Sequence, residues 1–591
     1  MFIYRFIRFA GFILLTATAE AFSRSGKIIA IFLFAPFLFF PTACLHQPVH
    51  FTMNIVHTND THSHLEQAAV NITVNGIKTT ARLGGFARLK TALDEMRIAD
   101  PDLLFLHGGD AVQGTVYFSL FNGEVEFDFL NLLGADAMTF GNHEFDRGVK
   151  PIPGWIARSN FPWLSANIDF SQEPAIAPLV KPYVIKTVRG NRVGIIGVTT
   201  ETTSLFTLDT GKTVFRDAAA SVRTQVAELS AAGVNKIVLL SHLGYHQDIA
   251  LASQVSGIDV IVGGHSHSLL GDKQALGVIG LTTEGAYPTE VLAPDGKIVL
   301  VLQAWQWGHV LGKLQVHFSS DGEVTGYDHE LTIPFSDYFV RNNVPVAADS
   351  EQYREIRKAL QATGAARIIA EDPIVKDKLR PYAEKVNALR STIIAIAADD
   401  IIRGPDSGPG SLIADALLDA VPRASVAVIN NGAVRKDLAA GNISASDALE
   451  VLPFNNSLII VELTGAELKA ALEDGIDYLL KKYPGKNPPA IPYVAGITFV
   501  VHKFAPKGDR VKSLAVSNSK GDYQPVNPAE FYRTITNAFT AQGGDGFTAI
   551  KNARGFREDT GITDTAVFYN YLKKMGKISN PARQRITIRP D

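Results

Sequence analysis

From about residue 50 the chain alternates short apolar runs with polar clusters. MNIVHTND, DLLFLHGGD, AMTFGNHEFD, NKIVLLSHLG and GIDVIVGGHSH each carry three or four apolar residues into a terminus of Gly, Asn, Asp or His. Runs of this length and composition predict buried strands whose carboxyl ends open into loops. Between them, LGGFARLKTALDEMR and DAAASVRTQVAELSAAG have helix-forming composition. Strand, polar loop and helix in succession is the grammar of an α/β fold, in which chemistry collects at the carboxyl ends of strands.

The texture changes over 349–392, where DSEQYREIRKALQATGA and DPIVKDKLRPYAEKVNALRS are charged, helix-forming and poor in long apolar strands. This stretch predicts a helical linker. A second α/β segment follows over 393–591, with SLIADALLDAV and GAELKAALEDGI as helices and ASVAVINNG and GITFVVH as strands. No internal repeat or low-complexity tract interrupts the pattern. With 591 residues, the chain exceeds what one hydrophobic core organises, so two large domains are expected, over 50–348 and 393–591.

Composition adds exclusions rather than identity. Hydrophobic residues make up 46% and charged residues 19%, an ordinary globular balance, and the net charge of -3 gives no footprint for a nucleic-acid polymer. Cys44 is the single cysteine, so no intramolecular disulfide forms and any metal site must use His and carboxylate ligands. Cys44 also ends a leader over 1–44: Arg24 and Lys27 precede IIAIFLFAPFLFFPTAC, a cationic start, an apolar run and small residues. That layout predicts export. It resembles a bacterial lipoprotein signal, in which Cys44 would be lipidated, although Pro41 stands where Leu is usual. The expected location is the periplasm or cell envelope, with membrane contact only through this N-terminal anchor or signal.

The polar strand ends carry the chemistry. Asp60 and His62 stand in NDTH, Asp110 in GGD, Asn142 and His143 in GNHE, His242 in SHLG, and His265 and His267 in GHSH. A lone His in an apolar setting is usually a satisfied core or cap residue. Oxygen and nitrogen donors recurring at five strand ends are a different matter. This donor set suits Zn²⁺ or Mn²⁺, with Mg²⁺ and Co²⁺ as alternatives. Asp60, His62, Asp110, Asn142, His242, His265 and His267 are too many for one tetrahedral ion, but they suit two if Asp110 bridges them. Two ions ~3.5–4 Å apart hold a bridging hydroxide and clamp the oxygens of an in-line displacement at phosphorus. The indicated reaction is phosphoester hydrolysis.

Taken together, DxH, GD, GNHE, a later His after an apolar strand and GHxH resemble the calcineurin-like metallophosphoesterases. More narrowly, IVHTNDTHSHLE with GNHEFD resembles the exported 5′-nucleotidase/UDP-sugar hydrolase family, over roughly 50–585. The resemblance implies an α+β four-layer β-sandwich joined through the linker to a smaller α/β substrate-binding domain. It assigns one ion to Asp60, His62, Asp110 and His267, and the other to Asp110, Asn142, His242 and His265. His143 resembles the family's catalytic histidine, and Asp146 would orient its imidazole and stabilise its charged form. Glu144 is expected to be loop structure; His57, His64, His107 and His246 are expected to be structural or solvent-facing.

In the second segment, NNGAVR resembles a substrate loop, so Asn430 and Arg435 align with contacts to base and substrate, with Ala433 replacing a glycine. Arg403 matches a substrate-binding arginine, a role suited to its planar fork. Phe454 in VLPFNN and Phe539 in TNAFTAQGGDGF align with a pair that sandwiches the nucleobase, and Asp545 with an acceptor for a ribose hydroxyl. The resemblance implies domain rotation about the linker. It also implies hydrolysis of nucleoside 5′-monophosphates, extending to di- and triphosphates, UDP-sugars or NAD. The competing readings are a 2′,3′-cyclic nucleotide phosphodiesterase/3′-nucleotidase, a thiosulfate-ester hydrolase, and a nucleotide-binding or adhesion lipoprotein with a vestigial site. Oligomeric state is left open.

Overall fold

Strand Phe51–Thr58 runs antiparallel to Leu311–Phe318 on one side and parallel to Leu104–His107 on the other, inside a ten-stranded mixed sheet. The computed structural model describes residues 50–206, 210–485, 490–518, 521–581 and 585–589; the leader and Cys44 lie outside the described residues. Ala137–Thr139 and Trp163–Leu164 extend the parallel pairing toward one edge. A second, six-stranded sheet sets Asn191–Thr199, Ile237–His242, Val260–Val262 and Ile298–Leu302 parallel to one another. Its edges are the antiparallel strands Tyr183–Val188 and Thr289–Leu292.

The two sheets pack face to face, and both faces of the central strands are buried. Met53, Ile55, Leu104 and Leu106 enter the core between the sheets with Ile195, Val238 and Leu240. Val56 and Phe105 point the other way, into a second core with Leu89, Phe129 and Leu130 from helices Phe86–Ala99 and Glu124–Leu133. Burial on both sides is why these strands are continuously apolar rather than alternating. Each fully buried Leu, Ile or Phe contributes roughly 1.5–3 kcal/mol. Helix Ala218–Ala231 covers the outer face of the second sheet with Ala218, Val222, Val226 and Leu229, one stripe at helical spacing. The result is the expected helix–sheet–sheet–helix arrangement.

The second α/β segment centres on a five-stranded sheet in the order Tyr493–Ala495, Val426–Ile429, Phe531–Asn537, Ser457–Thr464, Arg557–Thr563. Along Val426–Ile429 the side chains alternate: Ala427 and Ile429 meet helix Gly408–Ala420, while Val426 and Val428 meet helix Gly465–Lys482.

The linker differs from expectation in one detail. Helices Glu351–Ala362 and Pro373–Ser391 are present, but Ala366–Ile368 between them forms a strand parallel to residues 333–335 of the long strand Val324–Arg341. Gly364, at φ +67, ends the first helix, and the open edge of that long strand captures the next residues. Asp372 then starts the second helix by accepting from the Val375 amide. Val375, Leu379 and Val386 bury in the helix-covered core, while Leu389, near the helix end, also packs against the core of the second segment.

Candidate active site

Parallel pairing brings the carboxyl ends of five strands to one rim. Asp60 and His62 follow Phe51–Thr58, Asp110 follows Leu104–His107, and Asn142 follows Ala137–Thr139. His242 is the last residue of Ile237–His242, and His265 and His267 follow Val260–Val262. The loops are laced to each other: the amides of Asp60, His62 and Ser63 donate to the carbonyls of Gly109, Asp110 and Ala111 at 3.0, 3.1 and 2.9 Å. Five of the seven candidate ligands have left-handed backbones, with φ of 50° at Asp60, 46° at His62, 55° at Asp110, 73° at His265 and 55° at His267. Such conformations cost about 1–3 kcal/mol each and persist where the surroundings over-determine them. Gly141 makes the convergence possible, because a Cβ there would lie 2.0 Å from Asp110 Oδ1.

The side chains meet at distances that ask for a cation. His62 Nε2 and His267 Nε2 are 3.1 Å apart, His267 Nε2 is 3.4 Å from Asp60 Oδ1, and His62 Nε2 is 3.7 Å from Asp110 Oδ2. On the other side His242 Nε2 lies 3.1 Å from Asp110 Oδ2, and His265 Nδ1 lies 2.9 Å from Asn142 Oδ1. Asp60, His62 and His267 form one group able to hold an ion, and Asp110, His242 and His265 another. The tautomers suit that role. His62 Nδ1 donates to the Val112 carbonyl and His242 Nδ1 to the Gly108 carbonyl, which turns each Nε2 inward. His242 Nε2 is fully buried with no hydrogen-bond partner of acceptable geometry among the described residues. Burial alone would lower the His242 imidazole, yet Asp110 and Asp60 push it up to about 10. The carboxylates thus call for positive charge, and the residues fit divalent ions.

His143 begins a short 3₁₀ turn, and its Nδ1 lies 2.6 Å from Asp146 Oδ2 three residues on. Its amide donates to Asp110 Oδ1 at 2.9 Å, so its position is tied to that of the Asp110 carboxylate. Burial opposes the imidazolium, but Asp146 and Asp110 outweigh it and raise the His143 pKa. Glu144 is loop structure of a specific kind. Its buried carboxylate accepts from the amides of Gly141, Asp110 and Ala111 at 2.6, 3.0 and 2.8 Å, pinning the GNHE turn to the GGD loop.

The other histidines are held within the protein framework. His57 bonds the Tyr287 hydroxyl at 2.9 Å and His107 the Thr61 hydroxyl at 3.0 Å. His64 stacks on Trp307 with ring centroids 4.4 Å apart, and exposed His246 pairs with Glu284 at 3.0 Å.

A cavity of about 310 Å³ joins this rim to the second segment. Asp110, Asn142, His143, Asp146, His265 and His267 line one end; Asn430, Arg435, Phe454, Phe539 and Asp545 line the other. The Phe454 ring lies nearly parallel to His143 at 6.2 Å, and the Arg435 guanidinium sits 5.7 Å from the Phe454 centroid. Asn430 lines the cavity, but its amide is used internally: Nδ2 donates to Asp545 at 2.7 Å, and Oδ1 accepts from Asn537 and Thr540. In this structure its amide therefore holds the Asp545 carboxylate in place. Arg403 departs further from expectation. It is not among the lining residues, because Asp437 holds its Nε at 2.9 Å and the Val434 carbonyl accepts from Nη1. Lys482, Asn456 and Gly432 also line the cavity and were not singled out in the sequence; they come from separate elements that only the fold brings together.

Residues 53–269 match the calcineurin-like phosphoesterase family, and residues 393–552 match the 5′-nucleotidase C-terminal domain. A 5′-nucleotidase of Rattus norvegicus is 32% identical over 552 residues, covering 90% of this chain and 89% of the relative. The chain belongs to the 5′-nucleotidase family. An NAD 5′-nucleotidase of Haemophilus influenzae is 30% identical over 561 residues, covering 88% of this chain and 90% of that one. Among solved structures of the family, a 5′-nucleotidase precursor from Thermus thermophilus is 37% identical, covers 92% of this chain and 100% of its own, and superposes with a TM-score of 0.75. Family membership and the donor groups together make the chain a metal-dependent phosphomonoesterase.

Proposed function

We propose that this protein hydrolyses nucleoside 5′-monophosphates to nucleoside and phosphate with two divalent ions, Zn²⁺ or Mn²⁺. One would be held by Asp60, His62, Asp110 and His267, the other by Asp110, Asn142, His242 and His265. The observation that carries this reading is the shared cavity, with metal-binding side chains at one end and a pair of phenylalanines at the other. When bound, the ions supply an activated water and neutralise charge on the phosphoryl oxygens. The chain's own groups supply the rest. Phe454 and Phe539 stack on the base, an interaction worth about 1–3 kcal/mol per base in nucleic-acid proteins. Asp545 accepts from a ribose hydroxyl, and Arg435 faces the phosphate. As the bond from phosphorus to O5′ breaks, His143 hands its proton to the leaving oxygen, and Asp146 keeps the ring charged until then.

The leader layout supports export and lipid anchoring at Cys44. Phosphate release from AMP, UDP-glucose, NAD and 2′,3′-cyclic AMP tests the substrate assignment. Rapid release from AMP is expected; turnover confined to the cyclic nucleotide would overturn it. Mass spectrometry of membrane-extracted protein tests the anchor: a lipidated Cys44 at the mature N-terminus is expected, and an intact leader contradicts it.

A further inference from the structure

We infer that Lys482 reads the edge of the nucleobase and biases the enzyme toward bases that present a carbonyl oxygen, such as hypoxanthine, guanine and uracil, over those that present an amino group. The inference rests on the nucleotidase reading above. Lys482 is the last residue of helix Gly465–Lys482 and lines the cavity beside Phe454, Phe539 and Asp545. The wall between them is continuous. A Cβ on Gly544 would touch the Phe539 ring at 2.3 Å, Asp545 follows, and a Cβ on Gly546 would lie 3.2 Å from Tyr478 Cβ. Tyr478 stands one helical turn before Lys482.

Asn430 Nδ2 donates to the Asp545 carboxylate, and that carboxylate lies near enough to the Tyr478 hydroxyl to help burial hold its pKa up. The Tyr478 oxygen in turn accepts from Lys482 Nζ at 3.2 Å. The ammonium also lies 5.3 Å from the Tyr478 centroid and 5.7 Å from that of Tyr483, a pair of rings that keeps it at the mouth of the slot.

The polar groups along the slot have partners within the protein, Lys482 included through Tyr478. Asn430 serves Asp545, Asn456 Nδ2 faces Asp564 at 3.4 Å, and Arg435 lies over Phe454 toward Asp146. An ammonium has three N–H donors and no acceptor. It rewards a 6-oxopurine or the O4 of uracil and gains nothing from an exocyclic amine.

IMP and AMP differ in this respect at a single ring position, so the test compares their kcat/KM in the metal-replete wild type, in Lys482→Met and in Lys482→Arg. The wild type should favour IMP by about three- to tenfold, Lys482→Met should bring the ratio near one through the KM for IMP, and Lys482→Arg should retain most of it. Calorimetric binding of inosine against adenosine should show the same loss without turnover. An IMP-to-AMP ratio that is the same in wild type and Lys482→Met overturns the inference while leaving the nucleotidase reading intact. An equal loss on IMP, AMP and ribose 5-phosphate overturns it too, placing Lys482 on the phosphate. If neither nucleotide releases phosphate, the nucleotidase reading itself falls.

Discussion

At one end of the cavity, Asp60, His62, Asp110, His265 and His267 sit on left-handed backbone, laced loop to loop and clasped by Glu144. At the other end, Phe454, Phe539 and Lys482 come from separate elements, left-handed backbone occurs at Asp545 (φ 50°) and at Asn455 beside Phe454 (φ 54°), and the polar contacts from Asn430 to Asp545 and from Lys482 to Tyr478 are made by side chains. The metal end thus concentrates left-handed backbone on five of its seven candidate ligands, whereas the base end carries it at Asp545 and Asn455 only and sets its slot with side-chain hydrogen bonds and aromatic rings. The difference teaches where precision is needed. Phosphoryl transfer depends on donors placed within fractions of an ångström, while stacking tolerates different bases.

This contrast is open to attack in order of effect. Asp110→Asn should be the most damaging change, lowering kcat on AMP by about 10³-fold or more, because Asp110 is the carboxylate proposed to bridge the two ions and its Oδ2 lies between His242 Nε2 at 3.1 Å and His62 Nε2 at 3.7 Å. Steady-state kinetics with excess Mn²⁺ checks it, and near-normal turnover would contradict the bridging role. His143→Ala should cost about 10²–10⁴-fold in kcat with little change in KM. Glu144→Gln exchanges an acceptor for a donor against three backbone amides. Metal affinity should fall about 10- to 100-fold and excess metal should restore much of the activity, as read by metal titration of the apoprotein.

At the base end, Phe539→Ala should act mainly on KM for AMP, raising it about 10- to 100-fold. A pure kcat effect would argue that the ring packs the fold rather than the substrate.

The smallest effect concerns Asp564, buried against Asn456, where burial pushes its carboxyl up to about 7. Because the folded-state value lies above the unfolded one, its stabilising contribution is complete below about pH 4. That contribution is lost as pH rises toward 7. Asp564→Asn should therefore flatten the decline in Tm between pH 4 and 7 and raise Tm by about 2–4 °C at pH 8.

The same contrast explains what the chain disclosed on reading. Each metal-end residue follows an apolar run that predicts its own strand end, so local pattern and chemistry coincide at NDTH, GGD, GNHE and GHSH. The α/β layering was legible for the same reason. The short strand Ala366–Ile368 was not, because its pairing depends on the distant edge of Val324–Arg341. Lys482 was invisible as well: on its own helix it reads as a solvated charge. Its meaning comes from Asp545 and Phe539, more than fifty residues away. Arg403 shows the reverse case, since a motif match does not reveal that Asp437 accepts from its Nε and that it stands outside the cavity lining here.

The most direct test of the account is phosphate release from AMP by chelator-stripped protein as Mn²⁺ or Zn²⁺ is added back, with bound metal measured in the same samples. The account predicts no release from the stripped protein and recovery that saturates as two ions bind per chain. Release that survives complete metal removal would contradict it.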